Sequence, residues 1–500
     1  MIGDNYMKNI FCNHTNEYDN NRFNKTLLVL FLISIVLLPF DSLPYMKKIL
    51  GELGVRGPVY AFIPIFIVIF VYFIYKKKIY FQWNLEKVLL ALFIVWTGIS
   101  ATININTIIY NQFKERSGLE KLILQIMVLA FMVLIMYATE FIISLNNISL
   151  RTIRKYVLIS FIFVSLYSLL EILQVYGILN VENILRKISY YIHYLNRGNL
   201  YGDRIRSITG EASFLGMYVA FAYPWIVSYI LTEKKYTKKI LYGIVVLYML
   251  LLVYLTKSRV AYAVTMGEMV LILIGILVFN RNKVNKILII IITICSMLSI
   301  TSFNTLNSYI MSIRHQEENV EEVVDDGYNI DMSVGDVVQS LNSKTNHSNI
   351  ARLGLQKSAI NMGMDNPIIG IGLGQFGFYA DEYIEDDARV SFEIQRWTDP
   401  KEIDFWPPAF ALIPRIVAEQ GFVGAAIFIV FLLATMIKFF MKYVKEEENT
   451  MEILTMVSLV GVIVSTFNAD TYGLPQLWIL LGIITYLNNK KEKIFHKERV

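Results

Sequence analysis

Long apolar runs divided by short polar turns dominate the chain. Runs near 26–43, 58–75, 88–108, 119–145, 156–177, 212–232, 239–256, 259–280, 286–303, 417–440, 451–468 and 473–488 each approach the roughly 20 residues a helix needs to cross the hydrocarbon core. The pattern therefore predicts an all-α polytopic membrane protein of about twelve spans. Basic residues cluster in alternate loops, at Lys76–Lys78, Arg151–Lys155, Lys234–Lys239, Arg281–Lys286 and Lys438–Lys445. Short basic loops stay on the cytoplasmic side, so both termini are expected in the cytoplasm. The polar first 25 residues carry no apolar core ending at a small-residue cleavage site, so the first apolar run is expected to act as signal and anchor together.

The resulting layout is a tail at 1–25, nine helices over 26–303, a large outer loop at 304–408, an interfacial helix with three spans over 409–488, and a tail at 489–500. Two outer segments break the simple pattern. Residues 178–211 hold Arg186, Lys187, Arg197, Arg204 and Arg206 where orientation alone would place few cations. The 304–408 loop is too long for a connector and is expected to carry function. Its acidic first half, "RHQEENVEEVVDDGYNIDMSVGD", has little to bury and reads as a mobile surface segment. Its second half is aromatic, with a helical period in "IARLGLQKSAINMGM".

Composition agrees and excludes other classes. Of the 500 residues 55% are hydrophobic and 17% charged, and the mean hydropathy is +0.49, too apolar for a soluble domain. Cys12 and Cys295 give no disulfide framework and no metal cluster. No internal repeat, zinc spacing, Walker loop or dinucleotide fingerprint occurs, so no cofactor, metal or nucleic acid is expected.

Four stretches carry candidate chemistry: "RIRSITGEASFLG" (204–216), "LTKSRVAYAV" (255–264), "ARLGLQKSAINMGMDNPIIGIGLGQF" (351–376) and "PRIVAEQGFVG" (414–424). In the third, Asn366-Pro367 stops a helix, and Gly370, Gly372 and Gly374 allow positive φ or close backbone approach. In this order, with about a dozen spans and one large loop, the set resembles the O-antigen polymerase and O-antigen ligase superfamily of bacterial surface-polysaccharide proteins. The resemblance covers the whole architecture.

It implies a GT-C-like helical bundle in the cytoplasmic membrane, with a cavity opening outward and capped by the loop. It also implies glycosyl transfer between glycans carried on undecaprenyl pyrophosphate, without a nucleotide sugar. The lipid bilayer, a chain-length regulator and a flippase are the expected partners. A pyrophosphate leaving group needs fixed cations, and the guanidinium fork suits phosphate oxygens. Arg206 with Arg204 matches the family arginine before the Gly-Glu step, Arg259 the Ser-Arg at a helix mouth, and Arg352 the loop arginine. The plainer alternatives are arginines reaching toward lipid headgroups, or helix-start charges. Arg206 and Arg259 are expected to face one cavity.

An acceptor hydroxyl also needs a base. Ligase-type members resemble a pattern with a loop histidine about nine residues before the final Glu-x-Gly, and here Phe410 stands in its place. That shifts the expectation toward the polymerase and leaves the base open among Glu211, His347 and Asp404. Glu211 is alternatively a partner that orients Arg206; Glu419, near the start of the tenth span, matches a common acidic position of the family or alternatively only pairs with Arg415, itself a candidate for substrate binding. Glu171 and Glu268 lie within spans, where charge is expensive, but near helix ends, and they stay outside the expected site. Trp397 and Trp406 are candidates for stacking on sugars, or alternatively anchors in the interfacial aromatic belt. The rivals are a ligase acting on lipid A core and, from another class, a polysaccharide flippase, which would show internal pseudo-repeats and no single long loop.

Overall fold

The computed structural model describes residues 22–76, 83–202, 204–317, 347–444, 446 and 449–490. Each of the twelve expected spans falls on a helix. The first five are α1 (Arg22–Val36), α2 (Gly57–Lys76), α3 (Leu85–Ile103), α4 (Gly118–Asn146) and α5 (Leu150–Val175). A short helix, α6 (Glu182–Ile192), precedes α7 (Ala212–Thr232), α8 (Tyr236–Leu255), α9 (Arg259–Phe279) and α10 (Lys283–Glu317). The large loop contributes α11 (His347–Asp365), α12 (Phe376–Tyr383) and α13 (Phe392–Thr398), and the chain closes with α14 (Leu412–Tyr443), α15 (Thr450–Ser465) and α16 (Pro475–Asn489). The protein is an all-α polytopic membrane protein.

Among the described residues nine helices are long and apolar enough to cross a membrane. α1 and α16, with 15 residues each, reach only about 22 Å at 1.5 Å per residue. α10 runs on past the expected end at 303 to Glu317. Most of the acidic stretch expected to be mobile lies outside the described residues.

Burial separates the centre of the bundle from its rim. The apolar window of α7 is 94% buried, against 39% for α2, α3, α5, α8 and α14, so α7 is the central helix and the others turn a face toward lipid. α7 packs on α5, α8, α9 and α15, and α16 packs on α4, α14 and α15. Ion pairs staple the end that carries the short basic loops: Lys87 to Glu140 at 2.9 Å, and Lys438 to the buried Glu86 at 3.0 Å.

The opposite end, called here the loop end, gathers residues 37–56, the turn after α3, the 176–211 segment, the large loop and residues 466–474. A second apolar core, with Ala351, Leu355, Met362, Phe376 and Ile394 at its centre, folds α11, α12 and α13 into a cap.

One joint fixes that cap to the bundle. α14 breaks at Gly421, whose φ of 70° and ψ of 177° suit glycine alone. The Asn-Pro-Gly segment crosses the break: Ile371 N–H donates to Ala418 O (3.0 Å), Gly372 N–H to Glu419 O (2.9 Å) and Phe422 N–H to Pro367 O (2.8 Å). From α3, Ser100 Oγ donates to Ile369 O at 2.7 Å and Trp96 Nε1 to Gln420 O at 3.0 Å. A Cβ at Gly421 would lie 2.3 Å from Ile368 O, and one at Gly370 2.4 Å from Gln420 N. The spaced glycines thus serve close backbone contact, and the expected interfacial helix is the part of α14 before the break.

Candidate functional site

The 193–211 segment folds back over the tops of α5 and α7. Arg206 is its pin, about 1% exposed. Its Nη1 donates to Leu195 O (3.1 Å) and Gly210 O (3.3 Å), and its Nη2 to Ser189 Oγ (3.2 Å) and Asn199 O (3.4 Å). Its Nε has no hydrogen-bond partner among the described residues. His193, fully buried, closes the knot through Nδ1 to Ser189 Oγ (3.0 Å) and Nε2 to Ser207 O (3.1 Å). Burial, then the Arg206 charge, push the His193 ring down to about 3, so it is neutral.

A cavity of about 340 Å³ opens beside the knot, lined among others by Arg204, Arg206, Glu171, Tyr167, Tyr201 and Leu185. Glu171 accepts Ser207 N–H at 2.7 Å. Tyr201 links the cavity to the start of α7: its ring lies 4.9 Å from the Arg206 guanidinium, and its hydroxyl oxygen accepts Ala212 N–H at 3.2 Å. The lining combines guanidinium, carboxyl and phenol with apolar walls, as an anionic headgroup on a lipid tail requires.

Glu211 sits at the N-cap of α7, half-buried, next to this cavity but not in its wall. Two acids share its surroundings. Asp41 accepts Gly210 N–H at 2.6 Å and stands 3.9 Å from Arg56. Burial raises its carboxyl to about 6, with Arg56 pulling down and Glu211 pushing up. Glu393, on α13 of the cap, is also raised by burial, while Arg352 and His347 lower it and Glu211 raises it. The cap therefore brings Glu393 into the field of Glu211, with Arg352 and His347 in the field of Glu393.

The other expected residues are placed as follows. Arg352 donates to Asn468 Oδ1 and lies 5.0 Å from the Phe410 ring. His347 is exposed at the start of α11, with its ring 5.7 Å from Phe392. Asp404 is exposed. Arg259 opens α9 behind the Ser258 cap. The Ile205 N–H to Leu255 O bond of 3.2 Å brings residues 204–206 to the end of α8, just before α9, yet Arg259 is not among the residues lining the Arg206 cavity. Arg415 is buried, paired with Glu419 at 3.1 Å and donating to Asp470 O at 2.5 Å. Trp397 packs on Phe410 in the cap core. Trp406 faces Lys121 (4.0 Å) and Arg116 (5.2 Å).

Asp41, Glu171, His193, Tyr201 and Glu393 were not expected at the site. A lone acid near the end of the first apolar run, "LLPFDS", and an acid within a span near its end were the available signals. Their convergence depends on long-range packing.

No curated protein matches the chain. The model of a family described as O-antigen ligase matches residues 244–429, from within α8 to the helix that follows the Gly421 break. The matched stretch includes Arg259, the cap and the Asn-Pro-Gly joint, and leaves Arg206 and Glu211 outside. Through this stretch the chain is similar to the O-antigen ligase family.

Proposed function

We propose that the protein is a glycosyltransferase that polymerises undecaprenyl-pyrophosphate-linked oligosaccharide repeat units of a bacterial surface polysaccharide, on the outer face of the cytoplasmic membrane. One observation carries the reading: an arginine-lined cavity beside a set of carboxyls at the loop end, the end that also holds the cap the family match covers. The Arg204 and Arg206 wall suits the donor pyrophosphate, whose negative charge grows as its bond to the anomeric carbon breaks. The acceptor hydroxyl gives its proton to a carboxylate as it attacks. Glu211 is the base by position, at the N-cap of α7 beside the cavity. Arg352, over Phe410 and tied to Asn468, orients the acceptor glycan.

The ligase reading is favoured by the description of the matching family; Phe410, in place of a loop histidine, weighs against it. The flippase reading has no support in the family match. Cells lacking the gene decide between these activities. Loss of polymer, with single repeat units still presented at the outer face, is expected. Full-length polymer left on its lipid carrier would instead establish the ligase, and units trapped on the inner face the flippase.

A further inference from the structure

The loop end holds a second group of cations that the Arg206 cavity does not use. The turn of the β1–β2 hairpin (Gln112–Phe113 with Arg116–Ser117) places Lys114 and Glu115 at positive φ, 50° and 58°. Lys114 is buried, and its Nζ donates to the carbonyls of Arg396 (3.2 Å), Glu402 (3.0 Å) and Phe405 (2.5 Å). That clamp sets Trp406 against the hairpin, packed on Phe113 and Phe378. The Trp406 ring then holds the Lys121 ammonium at 4.0 Å and the Arg116 guanidinium at 5.2 Å.

Lys47 completes the group from the 41–56 segment, in the field of Arg116, Arg56 and Glu52. Lys121 lies in the field of Arg116, Arg415, Glu52 and the exposed Glu120. Lys47, Arg116 and Lys121 are half-buried and have no hydrogen bond or ion pair to any acid among the described residues. The two further arginines nearby are already paired, Arg56 with Asp41 and Arg415 with Glu419. Glu52 accepts from Gln125 (3.1 Å) and is bonded to Thr471. Three like charges held together out of bulk water repel one another and lose hydration; an anion between them reverses both effects.

This group adjoins the first cavity without merging into it. Tyr194 and Leu195 run between them, their N–H groups on Ser42 Oγ at 3.2 and 3.3 Å. Arg206 holds the Leu195 carbonyl on one side, and Lys47 stands 5.2 Å from the Tyr194 ring on the other.

We infer that Lys47, Arg116 and Lys121 form a second pyrophosphate site, which seats the headgroup of the acceptor lipid while the Arg206 cavity seats that of the donor. The inference rests on the polymerase reading. Joining two lipid-linked glycans requires both pyrophosphates at one end of the bundle, and two cationic sites on either side of the Tyr194–Leu195 segment satisfy that requirement.

The test is calorimetric titration of the full-length protein, in nanodiscs of zwitterionic lipid, with farnesyl pyrophosphate. The wild type is expected to take two equivalents and the K47Q/R116Q/K121Q variant one. K47Q and R116Q singly are expected to weaken the second equivalent about tenfold, in line with loss of one charge-assisted contact. K47R/K121R, which keeps the charges, is expected to retain it, so that loss by misfolding is recognised. Inorganic pyrophosphate competing for both equivalents supports headgroup recognition. One equivalent in the wild type, or unchanged affinity in both single variants, overturns the site. Displacement of the second equivalent by phosphatidylglycerol at equal concentration overturns the acceptor assignment in favour of bulk lipid. Two equivalents bound by a protein that makes no polymer would sink the polymerase reading and leave the second site standing.

Discussion

Acidification should unlock the Arg206 knot through His193. The neutral ring fits its surroundings: Nε2–H donates to Ser207 O, while Nδ1 accepts from Ser189 O–H, whose oxygen in turn accepts from Arg206. A proton on Nδ1 would leave two donors facing one hydroxyl oxygen, beside a guanidinium and with the Tyr167 ring 5.7 Å away. The folded pKa of about 3 lies below the ordinary 6.5, so the neutral ring's contribution is complete above pH 6.5 and is lost as pH falls toward 3. Linkage between those values gives a loss of about 2 kcal/mol from pH 7 to pH 5. Asp41 has the opposite sign: its raised carboxyl, at about 6, contributes most at low pH and loses that contribution as pH rises through 6. The comparison is therefore between the wild type and His193→Gln, in which Asp41 is unchanged and no ring titrates. Thermal unfolding in detergent from pH 5 to 8 should show the wild type losing about 2 kcal/mol more than the variant on acidification. Parallel pH profiles, or a His193 ring titrating near 6.5, would refute the argument.

Gly421→Ala should destabilise the protein by at least 1–3 kcal/mol, roughly the cost of forcing a side chain into that backbone region, with further loss from the 2.3 Å approach to Ile368 O; Gly267→Ala, where the new Cβ meets nothing within 4 Å, is the control, and equal melting of the two variants contradicts the joint. Lys114→Met leaves three carbonyls without their donor, a loss on the order of 2–3 kcal/mol. It should free the 396–406 stretch for proteolysis at Lys401, and an unchanged digestion pattern would count against the clamp.

The spans were legible because each depends on a local run of apolar residues, and alternation of basic loops ordered them. Lengths were less legible: α1 stops at Val36 although its apolar run continues to 43, and α10 runs on to Glu317 past the expected end at 303. The Asn-Pro-Gly stretch was readable as a backbone feature, but its partner, the Gly421 break, lies about fifty residues on. Arg206 and Glu211 stood out as charges at a membrane edge. The role of Arg206 as a pin on four acceptors was not readable, since those acceptors are mostly backbone carbonyls. Lys47, Arg116 and Lys121 come from three different elements, each an ordinary interfacial charge in isolation, and only the fold assembles them. Trp406 was a candidate for stacking on sugar or for the interfacial belt, and its neighbours Lys121 and Arg116 were not foreseen.

The central claim is glycan polymerisation from prenyl-pyrophosphate carriers at the Arg206 cavity. It is tested most directly by incubating the purified protein with undecaprenyl-pyrophosphate repeat units, without nucleotide or added metal, and resolving the products by gel. A ladder of polymer with release of undecaprenyl pyrophosphate is predicted for the wild type, and its loss in a Glu211→Gln variant that folds normally. No ladder from the wild type, or an undiminished ladder from the variant, would contradict the account.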